Sequence, residues 1–187
     1  MSLRTPNAMK KNDSTESNAK ETSTLQTPTD LDPEGVNEIS LALRQLLADV
    51  FALYVKTKNF HWHMSGRHFR DYHLLLDEQS EQIFEMTDAI AERARKIGGS
   101  TLRSIVDISR HQRLQDNNDD FVPAKEMLAQ LCRDSQHFTQ YLRSAHEVCD
   151  RHNDVATASL IENWIDEAER RTWFLFETVN DPDQKDS

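Results

Sequence analysis

The feature that most limits this chain is a set of long apolar stripes at helical spacing, with almost nothing to bend the backbone inside them. Ile39, Leu43, Leu46, Leu47, Val50, Leu53 and Tyr54 recur at steps of three and four, and the stripe runs to about Met64. Gly66 breaks it. Leu76, Ile83, Met86 and Ile90 mark a second helix from near Phe69 to Ile97, stopped by Gly98 and Gly99. A long linker follows. It holds a short apolar piece, Leu102 to Ile108, read as one or two helical turns, and a polar run from Asp116 to Asp120. A third helix is expected from Pro123 or Ala124 to about Asp150, lined by Leu128, Leu131, Phe138, Tyr141, Leu142 and Val148. Asp154 reads as the N-cap of a fourth, with Ala158, Ile161, Ile165, Ala168 and Phe176 inward.

With only 4 Gly and 5 Pro in 187 residues, turns are too few for a strand-rich fold, and the expected class is all-α. Four long helices joined by one long middle connection describe a ferritin-like four-helix bundle, with a short helix in the crossover between helices 2 and 3. The bundle is expected to span 34–180. Residues 1–33 are polar, rich in Ser, Thr, Asn and Lys, and read as a flexible tail that cannot offset its ordering entropy by burial. Residues 181–187 read as a frayed end.

The formal charge of −10 argues against nucleic-acid binding by the folded body and suits attraction of cations. Arg4, Lys10 and Lys11 in the tail are the candidate DNA contacts, weak and offset by the acids that follow. No apolar stretch has the length of a membrane span, and the N-terminus lacks the apolar segment of a secretion signal, so a cytoplasmic protein is expected. Cys132 and Cys149 lie on one expected helix, about 25 Å apart along its axis, too far to bridge. They read as reduced thiols.

The chemistry sits between residues 61 and 92. His61, His73, Asp77, Asp88 and Glu92 form a mixed imidazole and carboxylate set, suited to iron, manganese or zinc rather than to calcium or copper(I). On the second helix Asp77, Asp88 and Glu92 lie about 40°, 60° and 100° round from His73, so the four share one stripe. They do not share one ion, because ~16 Å of axial rise separates the Asp77 end from the Asp88 end. The Glu-x-x-His repeat expected of a single-chain di-iron bundle occurs at no histidine here. An antiparallel copy of the helix across a two-fold axis near residues 82 and 83 would instead set His73 and Asp77 against Glu92 and Asp88, making two identical sites. His61 reaches the same place because the chain folds back at Gly66. Trp62 and His63 are candidates for residues beside the ligands, Trp62 chiefly as packing. The role of His68 stays open.

His61-Trp62, Gly66, Phe69, His73, Asp77, Asp88 and the run Ala91-Glu92-Arg93-Ala94 resemble the ferroxidase signature of the Dps mini-ferritins, the DNA-protection-during-starvation family. The likeness extends over residues 36–180 and includes Trp173-Phe174. It implies a homododecameric shell of tetrahedral symmetry. His61, His73 and Asp77 would come from one subunit, and Asp88 and Glu92 from its neighbour. It further implies oxidation of Fe(II) by hydrogen peroxide or oxygen, storage of ferric iron in the cavity, protection of DNA from oxidative damage, and no haem. Asp150, Asp154, Glu162 and Asp166 are the candidate pore or cavity acids. The competing expectation is a nucleoid-associated DNA-binding protein whose metal site is mainly structural. A zinc-stabilised or intrachain di-metal bundle is opposed by the missing Glu-x-x-His pairs.

Overall fold

The structure, a computed structural model, describes residues 27–180. Five helices follow in order: α1 Pro33–His63, α2 Phe69–Lys96, α3 Ile105–His111, α4 Ala124–Arg151 and α5 Val155–Val179. Among the described residues there is no strand. The candidate DNA contacts Arg4, Lys10 and Lys11, and residues 181–187, lie outside the described residues.

The helices begin and end where local chemistry directs. Asp32 Oδ1 accepts from the Gly35 N–H at 2.7 Å, and Pro33 supplies the first helical position, so α1 starts well before Ile39, the first residue of its apolar stripe. Gly66, at φ 103°, turns the chain back from α1 into α2, a backbone conformation that side chains rarely adopt. Asp154 caps α5 by accepting from the Thr157 N–H at 3.0 Å. The final stretch of the expected tail is better placed than its composition suggests. Leu31 packs on the core edge, and a Cβ on Gly98 would come within 2.8 Å of the Thr27 carbonyl.

The core follows the stripes. Ile39, Leu43, Leu46 and Val50 meet Leu76, Ile83 and Ile90 from α2, Leu128, Phe138 and Leu142 from α4, and Ile161 and Ala168 from α5, all fully buried or nearly so. Five expected positions differ. Phe176 is exposed, and Leu175 takes the inward place. Tyr54, Tyr141, Val148 and Ile165 are only half-buried. The crossover helix begins at Ile105 rather than Leu102, capped by Ser104, and buries none of its residues. The thiols of Cys132 and Cys149 are free and buried, and burial pushes Cys149 up to about 12.

α1 packs along α2, α4 along α5, and α1 against α4, whereas α2 and α5 touch only sparsely. The crossover is pinned by Asp49, which is wholly buried on α1. Its carboxylate accepts from both Nε and Nη2 of Arg113, at 2.8 and 2.6 Å, and from the N–H groups of Arg113 and Leu114. The Arg113 guanidinium also lies 3.9 Å over the Tyr141 ring. Burial pushes the Asp49 carboxyl up, and these bonds oppose that shift.

Candidate metal centre

The turn at Gly66 sets the last turn of α1 against the first turns of α2, which puts His61 beside His73. The two rings stack with centroids 3.7 Å apart. Each anchors the other's helix: His61 Nδ1 lies 2.9 Å from the His73 carbonyl, and His73 Nδ1 lies 2.9 Å from the His61 carbonyl. A carbonyl only accepts, so each Nδ1 must carry the proton. The lone pair of each neutral ring is therefore on Nε2, the tautomer a metal ligand needs.

Asp77, one turn beyond His73, completes the group. Its Oδ1 lies 3.8 Å from His61 Nε2. Lys58 Nζ donates to the same oxygen at 2.6 Å. That hydrogen bond is the main reason the Asp77 carboxyl stays below the usual carboxylate range. Burial opposes the shift, while the charge of Lys58 and then of His61 and His73 adds to it. His61 is buried, and Asp77 is half-exposed at the rim. The chemistry is right for a divalent ion, with two imidazole nitrogens and an ionised carboxylate, yet the set is unfinished. Among the described residues no three metal-binding groups close into a complete site within one chain.

The other half of the set lies at the far end of α2. Asp88 and Glu92 are both exposed, and Glu92 Oε2 is 3.2 Å from Lys96 one turn on. Between the two ends stands Phe84, half-exposed although it is a large apolar residue in mid-helix, its ring 5.0 Å from Tyr54. Arg93 anchors this end to α5. It donates to Asp154 Oδ1 at 2.6 Å and to Thr157 Oγ at 2.6 Å.

Trp62 does not pack inside the subunit: it is 65% exposed. His63 donates from Nδ1 to the Asn59 carbonyl at 2.8 Å within its own helix. His68 sits 5.5 Å from the Tyr72 ring. Of the four candidate acids, Asp150 and Glu162 converge on His146, at 3.2 and 3.3 Å, and all three face solvent to some degree. Asp166 is exposed. Asp154 departs from that expectation. It is 4% exposed, and its carboxylate is taken up by Arg93, the helix cap and the Thr157 hydroxyl, so it presents no free acid to a channel. Lys58 and His146 were not singled out from sequence, and Arg93 stood there only within the run Ala91-Glu92-Arg93-Ala94.

Residues 40–184 match the family model described as a ferritin-like domain. The chain is 30% identical over 151 residues to DNA protection during starvation protein 1 of Deinococcus radiodurans, covering 81% of this chain and 73% of that protein. The fold superposes on DpsC from Streptomyces coelicolor with a TM-score of 0.80 and 25% identity, over 83% of this chain and 91% of the other. A Dps protein from Bacillus brevis superposes with a TM-score of 0.77 and 25% identity, over 80% of this chain and all 100% of the other.

Proposed function

From the premise that this chain belongs to the ferritin-like proteins, in the Dps family, we propose that it is a mini-ferritin ferroxidase. It oxidises Fe(II) with hydrogen peroxide or oxygen and stores ferric iron inside a shell of twelve copies. One observation carries the reading: the reciprocal Nδ1 bonds of His61 and His73 beside Asp77 make a half-site with no second half beside it among the described residues of its own chain. Asp88 and Glu92, exposed on the same helix, are that second half when α2 of another copy lies antiparallel. The exposed Phe84 between them gives the two copies an apolar contact near the axis.

In this reading Fe(II) is the substrate. Imidazole Nε2 atoms bind it, and the Asp77, Asp88 and Glu92 carboxylates, hard anions, favour the ferric product and so lower the barrier to electron loss. Two Fe(II) ions at one interface each give up one electron. A single peroxide takes both, its O–O bond breaks, and two protons complete two waters, so no hydroxyl radical leaves. Lys58 shares Asp77 Oδ1 and yields that oxygen when the ion arrives. The net charge of −10 draws Fe(II) to the particle. Asp150, Glu162 and Asp166 are the acids left to guide it inward. DNA is protected by removing iron and peroxide, which requires no DNA contact. Any direct binding belongs to Arg4, Lys10 and Lys11 and would weaken steeply with salt. No described helix is long and apolar enough to cross a membrane.

The test is peroxide-driven Fe(II) oxidation by wild type and by Asp88→Ala with Glu92→Ala, each sized in solution. The variant should lose the fast phase and keep the particle. Equal rates would overturn the assignment, and a monomer oxidising iron at the full rate would overturn the shared site.

A further inference from the structure

Where the chain enters the bundle it runs against Gly98, just past the C-terminal end of α2. A groove of about 780 Å³ opens there, between residues 27–31, the first turn of α1 and the loop that follows α2. Val36 and Leu102, both half-buried, give it apolar walls. Two guanidinium groups also line it, those of the half-buried Arg95 and the exposed Arg103. None of the described residues around the groove is an acid. In a chain of net charge −10, a lining with two cations and no anion is unusual. The Arg103 side chain makes no ion pair among the described residues, and only its backbone N–H is engaged, by Asp107 Oδ2 at 3.1 Å.

The segment that precedes Thr27 has the complementary chemistry. Leu25 is the one large apolar side chain between Met9 and Leu31. Asp13, Glu16 and Glu21 come before it, with Lys20 the only base among them. Glu21 is six residues from Thr27, so ~20 Å of extended chain brings it anywhere in the groove. Carboxylates are repelled by the rest of an acidic body, and two guanidinium groups without a neighbouring acid attract them. The segment is tethered at the groove by Thr27. Its effective concentration there is therefore in the ~mM range, and contacts that are weak one by one suffice.

We propose that residues 13–26 dock in this groove of their own chain, with Leu25 against Val36 and Leu102, and Glu16 and Glu21 toward Arg95 and Arg103. Docking draws those acids away from Arg4, Lys10 and Lys11 and leaves the three bases as a separate cationic end. The contact involves none of the candidate metal ligands and does not depend on the iron reading.

The test is cleavage of the full-length protein by a lysine-specific protease. Cleavage after Lys20 reports the docked segment, and cleavage after Lys11 in the same chain is the internal reference. Each rate is divided by that of the same sequence as a free peptide. In wild type at about 0.05 M salt, Lys20 is expected to be cut roughly tenfold more slowly than in the peptide and Lys11 at the peptide rate. At about 0.5 M salt the protection should fade. Arg103→Glu should speed cleavage at Lys20 by roughly three- to tenfold and leave the melting temperature unchanged, because Arg103 is exposed. Glu21→Arg should do the same, and the two together should restore protection, which a general loosening would not do. Leu25→Ser should release the segment as well. Cleavage of wild type at the peptide rate overturns the proposal, and so does protection unmoved by Arg103→Glu and Leu25→Ser. Protection present in the particle and absent in the isolated chain overturns it too, since another copy would then cover the segment. A freely cleaved Lys20 together with DNA binding that Arg103→Glu abolishes would give the groove to a phosphate backbone instead.

Discussion

At the N-terminal end of α2, His73 is tied to His61 by two reciprocal hydrogen bonds, and Asp77 is held by Lys58. At the C-terminal end, Asp88 and Glu92 stand exposed with only Lys96 close to one of them. The two ends differ because their candidate ligands differ. An imidazole has two nitrogens and binds a metal through one, so its neighbours must decide which carries the proton. A carboxylate has two equivalent oxygens and requires no such decision. The end that carries imidazoles along with Asp77 is therefore built from two helices and a turn, while the end that carries carboxylates alone is a bare helix face. The proposed intersubunit site would have a preformed side and an adaptable side.

The largest effect comes from breaking both ends separately. His73→Ala and Glu92→Ala should each cost more than the ~10–100-fold that loss of a mere supporting group costs a metal site. Mixed in one particle after dissociation and reassembly, the two dead variants should regain activity. A dimer of one copy of each then contains one site with both halves damaged and one with both intact. Stopped-flow Fe(II) oxidation reads the outcome, and a mixture as dead as its parents would refute a site shared between copies.

A smaller effect separates an acid that binds metal from one that holds the fold. Asp154→Ala strands Arg93 and uncaps α5, at a cost of about 3 kcal/mol or more. The melting temperature at fixed protein concentration should fall by roughly 6–12 °C, while the oxidation rate per folded chain is kept. An unchanged melting temperature with slowed iron uptake would return Asp154 to the pore acids.

The smallest effect sharpens the preformed side. Lys58→Met frees Asp77 Oδ1 and should raise affinity for a redox-inert divalent ion such as Zn(II) by roughly three- to tenfold by calorimetry. It should also move the Asp77 titration upward. In wild type that carboxyl is held low, so its pairing contributes above the ordinary carboxylate range and is lost only as pH falls through the lowered folded value. An NMR titration in which Asp77 does not move on Lys58→Met would refute Lys58 as its governing partner.

The stripes made the helices legible, since Leu43, Ile83, Leu128 and Ile161 are buried where the 3.6-residue period puts them. The period is less decisive near the end of α5. There Leu175 is inside and Phe176 outside, a rotation of one residue that packing against α4 settles. The pairing of His61 with His73 beside Asp77 was legible because the turn at Gly66 brings the two helix ends together. Asp49 with Arg113 was not, because 64 residues separate the partners. Nor was the burial of Arg171, since nothing in its local context distinguishes it from the exposed Arg170 beside it.

What the sequence determined by itself is whatever depends on spacing along one helix: the class of fold, the turn at Gly66, and the distance that prevents the four candidate ligands of α2 from sharing an ion. Only the tertiary structure decided which nitrogen of His61 and His73 is free, which of several similar acids is buried in an ion pair, and which of two adjacent arginines is buried. Those properties arise where two helices meet. A hydrogen bond or a buried charge is set by the groups brought close in space, and the order of residues along the chain does not specify them.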